Sequence, residues 1–520
     1  MTSPRPKLAL LATLAIFAAG NTNAQLEAPP IPPENPATEQ KRILGKILFW
    51  DEQLSSDDTV ACGTCHIPAA GGSDPRSGRH PGPDGVFSTD DDTIGSPGII
   101  ARDPQNQRVV HPLFGEGLQV TGRASPGIFM SMYSGDMFWD GRARSEFRDP
   151  LNPGNTVIAA GGALESQAVG PILSDVEMAH RNRDWQAVIN KLTTVDPLAL
   201  AARLPADVAA ALVGDPTYPD LFTAAFGDPA ITPVRIALAI ASYERTLVPD
   251  QTPWDRFMRG DQGAMTTRQI AGWNSFRNGT VCDNCHVPPH FTDHLFYNIG
   301  LRPADEDSGR QNVTLDANDF GSFKTPSLRN VGLRTALTHV GWVTDAADAL
   351  AFYNASALIN AHQQFIAFQS IVPTPQGGPT VPYALVTVFP GDDLAQAPII
   401  DFLQNALTDP RVANESFPFD RPLLISEQLV LLSYDLSGAP WTAARAALVA
   451  GVIAAQDVDD LALPETPPDM LDDLLARHGD YDAAGPAGPA STEPMWIRRG
   501  KLNATMSGSS AAALACGGYE

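Results

Sequence analysis

The strongest constraint on this chain is a five-residue pattern that occurs twice, as Cys62-Gly63-Thr64-Cys65-His66 and as Cys282-Asp283-Asn284-Cys285-His286. Two thiols three positions apart at the start of a helix can form thioethers with both vinyl groups of one porphyrin, and the next residue can bind its iron. Zinc sites and thioredoxin-like redox pairs give no reason for a histidine directly after the second cysteine. The sequence therefore predicts two covalently bound c-type haems, attached through Cys62, Cys65, Cys282 and Cys285, with His66 and His286 as iron ligands.

The N-terminus has the composition of an export signal. Arg5 and Lys7 precede an apolar run over residues 8–20, and Ala24 ends a small-residue cleavage site. Because this run is too short to span a bilayer, residues 1–24 are predicted to be a cleavable signal peptide. No later apolar run is long enough to cross a membrane, so we expect a periplasmic protein without a membrane span.

The charge balance limits the partners. The formal net charge is −24 and the sequence pI is about 4.7. Such a surface would repel the phosphates of nucleic acid, so we expect no nucleic-acid partner. It would attract a basic electron donor such as a small cytochrome, although an acidic surface that only maintains solubility explains the charge equally well.

The remaining chain contains two similar units. Each has an amphipathic helix ahead of one of the two Cys-x-x-Cys-His motifs, which are called the haem strings below. After an extended leader at 25–38, Ile43, Leu44, Ile47 and Leu48 share one face of a predicted helix. In the second unit, Ile270, Trp273 and Phe276 share a face after a Thr266 or Thr267 cap. Further helices are predicted at 184–192, 205–212, 233–245 and 396–406. The predicted fold is mostly α, with cytochrome c-like haem domains at 39–250 and 251–425 and an extension at 426–520 that has no assigned role and contains the unexplained Cys516.

A stretch rich in Gly, Pro and Asp interrupts the first unit at residues 71–122. It has little periodicity and is predicted to be an inserted loop over the first haem. Asp90, Asp91 and Asp92 are close enough in sequence to bind calcium, but a solvated loop is the preferred interpretation.

Between about Ile43 and Leu424 the chain resembles the bacterial di-haem cytochrome c peroxidases and their relative MauG. The resemblance rests on several collinear motifs: LGKILF at 44–49, both haem strings, FWDGR at 138–142, the segment from Gln167 to Met178, YERTL at 243–247 and FKTPSLRNV at 323–331. It implies two mostly helical cytochrome c-like domains whose haems face a shared interface.

The resemblance also implies roles for single residues. The haem on His66 would be the peroxidatic one, with an open iron position for hydrogen peroxide. Gln167 and Glu177 match the family's distal pair, and Pro171 matches the proline above the iron in MauG. Breaking the O–O bond heterolytically needs a base that carries a proton from the inner oxygen to the leaving one, which a carboxylate can do. Trp139 matches the tryptophan between the haems and would relay electrons, although a packed core aromatic explains it as well.

One departure from the family concerns the second haem. The peroxidases place a methionine opposite the histidine, but no methionine occurs here between Met265 and Met470. Tyr353 takes the matching position, as a tyrosine does in MauG. A thioether favours ferrous iron, whereas a phenolate favours ferric and higher-valent iron. An ordinary helix aromatic is the alternative interpretation of Tyr353.

A second departure concerns the calcium ion that the family holds between its haems. The family's asparagine ligand is Ala124 here, and the segment that would supply backbone carbonyl ligands contains Arg334 and Ala336. Calcium is therefore left open.

Four histidines near the haem strings have weaker interpretations. His80 and His111 in the inserted loop are candidates for the distal histidine that several peroxidases hold on the resting first haem, although such residues are more often exposed. His290 and His294 are expected to shape the edge of the second haem site rather than bind iron.

The leading functional expectation is a periplasmic di-haem peroxidase. It would reduce hydrogen peroxide to water with electrons from a small cytochrome c or cupredoxin, which enter through the haem on His286. The first alternative, favoured by Tyr353, is a MauG-like oxidase that uses high-valent iron to oxidise a protein or organic substrate. The second is a non-catalytic di-haem electron carrier. The physiological donor and a homodimeric state, which is common in the family, are left open.

Overall fold

The computed structural model describes residues 25–278, 280, 282–302, 305–354 and 393–427. The predicted signal peptide, nearly all of the predicted C-terminal extension and Cys516 lie outside these residues. In the described part of the chain, helices contain far more residues than strands do, which is compatible with the predicted mostly α fold. None of the described helices has the length and apolar character needed to cross a bilayer.

The helices and strands of the described residues follow in chain order. The α-helices are α1 (Glu39–Trp50), α2 (Cys62–Cys65), α3 (Ala163–Ala168), α4 (Trp185–Leu192), α5 (Ala206–Ala211), α6 (Tyr218–Phe226), α7 (Pro233–Glu244), α8 (Pro253–Met258), α9 (Thr267–Asn278), α10 (Gln311–Thr314), α11 (Ala346–Asn354), α12 (Asp393–Asp401) and α13 (Pro410–Ala413). A π-helical turn at Phe402–Ala406 continues α12. The strands form four antiparallel pairs, β1 (Gly78–His80) with β2 (Thr93–Gly95), β3 (Pro97–Ile100) with β4 (Leu118–Val120), β5 (Phe147–Asp149) with β6 (Asn152–Ile158), and β7 (Phe296–Tyr297) with β8 (Phe323–Lys324).

The first hydrophobic core forms where α1 crosses α7. Thr38 caps α1 by accepting a hydrogen bond from the Lys41 backbone N–H, and the predicted apolar face is buried at Leu44, Ile47 and Leu48. Gly45 lies at the crossing, where an added Cβ would come within 1.9 Å of the Ala239 carbonyl oxygen. The two helix backbones therefore touch at a point where only glycine fits.

The second core repeats this arrangement with different residues. Trp273 and Phe276 of α9 pack with Phe291 and Phe402, as the predicted apolar face requires. Gly272 faces α12, where an added Cβ would lie 2.0 Å from the Pro398 carbonyl oxygen. Each haem string thus follows a helix that is held against a partner helix through a glycine contact.

After the second core, the chain returns to the first. Val412, Phe419 and Leu424 belong to the first hydrophobic cluster, although the sequence assigned residues up to 425 to the second domain. The buried Lys46 ammonium pairs with Asp420 at 2.9 Å, which ties this returning segment to α1.

Two segments 200 positions apart, residues 124–143 and 324–343, share their backbone conformation. They are called the two repeated segments below, and the parts of the chain that contain them are called its first and second halves. Antiparallel bridges join Met137 to Ala143 and Leu337 to Val343, and the left-handed positions within the two loops correspond one to one. These matching positions are Met130 with Asn330, Phe138 with Thr338, and Gly141 with Gly341. The repeated helix–haem string order seen in the sequence therefore extends into the loops that follow.

The two repeated segments pair with each other. The Ala124 N–H donates to the His339 carbonyl at 3.0 Å, and the Lys324 N–H donates to the Trp139 carbonyl at 2.8 Å. Because Ala124 matches Lys324 and Trp139 matches His339, the contact is reciprocal, as it would be around a two-fold axis.

The stretch at 71–122 is more ordered than a loop, since it contains β1 to β4. Asp92 is fully buried, is paired with Arg79 at 2.8 Å and accepts the Ser88 N–H. The preferred solvated interpretation is therefore wrong for Asp92. Strands of three or four residues are too short to give a readable alternation, which explains why the sequence did not predict them.

Replacing Gly45 by alanine should destabilise the fold, because the new methyl group would meet a backbone carbonyl rather than a side chain that can move. We expect a loss of about 1–3 kcal/mol in the free energy of unfolding, measured by chemical denaturation of the haem-loaded protein. Gly135→Ala is the matched control, since no atom lies within 4 Å of its added Cβ. Equal stability of the two variants would contradict the close helix contact.

Candidate functional site

The first haem string is fixed by its own short helix. The Ala61 N–H donates to Thr64 Oγ1 at 2.9 Å, and the Gly63 backbone lies flat against the Trp50 ring. This arrangement places the sulfurs of Cys62 and Cys65 one helical turn apart along the wall of a cavity. None of the four described cysteines forms a disulfide, so each sulfur is available for a thioether bond to a porphyrin.

Both string histidines are oriented in the same way. His66 Nδ1 lies 3.0 Å from the Gly72 carbonyl oxygen, and His286 Nδ1 lies 3.2 Å from the Phe291 carbonyl oxygen. Because a carbonyl can only accept, each Nδ1 carries the proton and each Nε2 keeps its lone pair. Burial lowers the pKa of both imidazoles, so they stay neutral and able to bind a metal.

The second string is less enclosed than the first. Residues Cys282–Asn284 form a 3-10 turn instead of an α-helical one, and none of them is fully buried. The thiols of Cys282 and Cys285 nevertheless lie close enough to Tyr353 to act electrostatically on its phenol.

A cavity of about 760 Å³ joins the first string to the other predicted site residues. It is lined by Cys62, Cys65 and His66, and also by Gln167, Pro171, Glu177 and Trp139. The cavity fits a c-type haem with room beside it for a small ligand. It has the necessary volume, two cysteine sulfurs without a disulfide, an imidazole nitrogen with a lone pair and many apolar side chains. The structure therefore brings together around one cavity the residues for which the resemblance implied a catalytic role at the first haem.

The strands of the 71–122 stretch hold the segment that carries Glu177. The Ile99 N–H donates to the Val176 carbonyl at 3.2 Å, and Gln119 Nε2 donates to the Asp175 carbonyl at 2.6 Å. Burial raises the pKa of Glu177, while a hydrogen bond from Ser174 and the charge of Arg142 act in the opposite direction. The result is a cavity-lining carboxyl group whose pKa is moved toward neutrality, the range in which a group can both accept and return a proton.

Trp139 lies where the two repeated segments meet. Its side chain is buried, and its indole N–H donates to the Ala124 carbonyl at 2.8 Å. The ring centre is 6.3 Å from that of His339, which stacks on Phe323 at 3.5 Å. Trp139 thus starts an aromatic contact that runs from the first half of the chain into the second.

Tyr353 is on α11 and packs beside Trp342 and Phe352, close enough to Cys282 and Cys285 to be affected by them electrostatically. Burial raises the pKa of its phenol, and the neighbouring thiols act in the same direction. This position is compatible both with iron ligation and with an ordinary core aromatic, so ligation stays a prediction.

The four histidines that the sequence placed near the haem strings occur at two positions in the structure. His80 and His111 line the cavity and pack against Phe114, at ring distances of 5.8 and 5.1 Å. His290 and His294 lie beside the second string with their nitrogens 3.1 Å apart. Only His294 of this pair is among the residues that line the cavity.

Comparisons with known proteins identify the family of this chain. The family model described as di-haem cytochrome c peroxidase matches residues 39–263. The chain is 30% identical over 334 residues to the methylamine utilization protein MauG of Methylophilus methylotrophus. This alignment covers 63% of this chain and 76% of that protein. The chain belongs to the di-haem cytochrome c peroxidase and MauG family.

Other members of this family are similarly distant. Cytochrome c551 peroxidase of Pseudomonas aeruginosa is 28% identical over 326 residues, covering 61% of this chain and 72% of that protein. Cytochrome c peroxidase Ccp of Escherichia coli is 30% identical over 60% of this chain, a match that covers 52% of that longer protein. Among solved structures, a MauG-like protein associated with microbial copper homeostasis aligns with a TM-score of 0.49 and 20% identity, over 76% of this chain and 96% of that one.

Family membership implies two c-type haems and an oxidoreductase that contains them. The relatives' names include both peroxidases and MauG, so membership by itself leaves the choice between these two activities open.

Glu244 lines the same cavity, although no sequence feature predicted a role for it. It is 5% exposed, and within the described residues its Oε2 atom has no hydrogen-bond partner. Burial raises the pKa of this carboxyl group to about 8, with Arg245 lowering it and Glu165 raising it further. Glu244 belongs to the YERTL motif, but on an otherwise apolar helix nothing in the sequence marked it as facing a cavity.

Glu244 should make the stability of the protein depend on pH. The unfolded chain releases this proton near the ordinary pKa of 4.5, whereas the folded protein holds it up to about 8, so stability falls as the pH rises between these values. At ~1.4 kcal/mol per pKa unit, about 2–3 kcal/mol should be lost between about pH 6 and pH 9.

Denaturant unfolding of the haem-loaded protein across that range measures this loss. Glu244→Gln should remove it, while Glu34→Gln, at an exposed position, should keep it. Parallel pH profiles for the wild type and Glu244→Gln would contradict the shifted pKa.

Proposed function

We propose that this protein is a periplasmic peroxidase that reduces hydrogen peroxide to water with electrons from a small redox protein. The observation that carries this proposal is the shared cavity, in which Glu177, Gln167 and Pro171 accompany the first haem string. A pure electron carrier has no need for an acid–base pair beside its iron. The two haem domains predicted at 39–250 and 251–425 are part of the proposal, with Val412, Phe419 and Leu424 at the end of the second range packed in the core of the first domain.

Cys62, Cys65 and His66 would hold the first haem, and Cys282, Cys285 and His286 the second. When bound, these groups would supply iron that can gain and lose electrons, and the haem at the first site would bind peroxide. The reaction takes up two electrons and two protons for each peroxide and releases two water molecules.

The protein's own residues manage the protons. Glu177 accepts the proton of one peroxide oxygen and returns it to the other, so that the leaving oxygen departs as water. Gln167 donates a hydrogen bond from its amide and orients the peroxide. Pro171 begins a 3-10 turn and lines the cavity with an apolar ring, so it adds no side-chain donor or acceptor of its own there.

Trp139 would carry electrons across the interface of the two halves. Its indole N–H is bound to a backbone carbonyl and its ring is buried, so its position is fixed. The donor is proposed to be a small cytochrome c or cupredoxin, whose basic face would be attracted by the net charge of −24.

A MauG-like oxidase is the second candidate, and the position of Tyr353 favours it. Tyr353 lies near Cys282 and Cys285, and a phenolate bound to the second iron would stabilise its ferric state. Such a protein would withdraw electrons from a protein or organic substrate and would accept few from a reduced cytochrome.

Glu177→Gln should lower kcat for peroxide reduction by about 10²–10⁴-fold, because the amide keeps the shape of the side chain but cannot accept a proton. Stopped-flow measurement with reduced cytochrome c tests this, with haem content checked by the pyridine haemochrome assay. Glu146→Gln is the control, since Glu146 is not among the residues that line the cavity and its carboxylate pairs with Arg148 and Thr156. Wild-type turnover in Glu177→Gln would remove Glu177 from the reaction.

Tyr353→Phe should distinguish the two candidates. If Tyr353 binds the second iron, the variant should change the spectrum of that haem and raise its reduction potential by on the order of 0.1 V, a fraction of the ~0.8 V that axial ligands span. Tyr297→Phe is the control, because this tyrosine bonds Asp293 beside the same string. An unchanged spectrum together with rapid cytochrome turnover would reject the oxidase.

A further inference from the structure

The Arg334 side chain joins the two repeated segments at a buried point. Its Nη2 atom donates to the Ser125 carbonyl oxygen at 3.2 Å and to the Ala336 carbonyl oxygen at 3.2 Å. Ser125 belongs to the first segment and Ala336 to the second. The guanidinium therefore bridges the two halves of the molecule through backbone oxygens.

No acidic side chain neutralises this cation within the described residues. Arg334 is 7% exposed, and no carboxylate of the described chain forms an ion pair with it. Burial lowers the pKa of the guanidinium to about 10, so it remains charged at neutral pH. A buried positive charge held by neutral carbonyl oxygens resembles the surroundings that proteins give to hard cations such as calcium.

Space for this side chain comes from two glycines of the first half. A Cβ added at Gly71 would lie 2.7 Å from Arg334 Cγ, and one added at Gly127 would lie 3.8 Å from Arg334 Cδ. Ser125, whose carbonyl accepts from Arg334, also places its Oγ atom 3.3 Å from His66 Nδ1. The cation is thus built in next to the histidine of the first haem string.

The residues at this point do not fit a calcium ion. Ala124 offers no side-chain oxygen where the family resemblance implies an asparagine ligand, and the carbonyls of Ser125 and Ala336 already accept from Arg334. A divalent cation at the same oxygens would also be repelled by the guanidinium.

We propose that the Arg334 guanidinium takes the place of the calcium ion that the family resemblance implies between the haem domains. The two halves of this protein are then held together by a cation that belongs to the chain. Their pairing and stability do not respond to calcium. This inference depends on family membership and on geometry, and it is independent of whether the protein reduces peroxide.

The first test uses the wild-type protein with both haems. After dialysis against a chelator, calcium content should be far below one equivalent, and millimolar calcium should shift neither the thermal unfolding midpoint nor the haem spectrum. One tightly bound calcium, or a fall in the midpoint on chelation, would overturn the proposal. This measurement needs no variant and does not depend on turnover.

The second test removes the positive charge of Arg334 by substitution. Arg334→Met should lower the unfolding midpoint by about 2–4 °C or more, whereas Arg268→Met, at an exposed position, should leave it unchanged. Ala124→Asn combined with Arg334→Ala restores an oxygen ligand and removes the charge, so its midpoint should rise with calcium concentration. A midpoint for Arg334→Met equal to that of Arg268→Met would reject the role of Arg334.

Discussion

The reciprocal backbone pairing of the two repeated segments is the constraint on which the rest of the structure depends. The hydrogen bonds from Ala124 to His339 and from Lys324 to Trp139 set the register of one half of the chain against the other. Because backbone groups make these bonds, the register does not depend on the side chains that have diverged between the halves. The pairing fixes Trp139 between the halves, and Lys324 and Thr325 of the second half complete the cavity of the first haem string.

Features encoded over a few consecutive residues could be predicted from the sequence. The apolar faces of α1 and α9, the helix α4 after its Asp184 cap, and the two haem strings all have local periodicity or spacing that points to one structure. The sequence did not predict features that depend on distant contacts. Phe419 returns to the first core through contacts with residues far away in the chain. The short strands at 71–122 pair across intervening loops, and no local sequence pattern predicts either feature.

The candidate site shows the same division. The resemblance named Gln167, Pro171 and Glu177, and the fold gathers them around one cavity although they come from a helix, a turn and a loop. Glu244 escaped notice because its motif lies on a buried helix, where a carboxylate facing a cavity and one facing a neighbouring helix have the same periodicity. The function of these residues, and the ligand of the second iron, depend on the haems. The sequence shows where each haem is attached, but it does not specify the reactivity of its iron.

The reciprocal contact also affects how copies of this protein can associate. A contact in which each side presents the same surface to the other is isologous, the arrangement by which most homodimers form. Here the two equivalent surfaces belong to one polypeptide, so they meet at a high effective concentration and satisfy each other within a single molecule. The surfaces that form this contact are therefore already paired with each other within each folded chain.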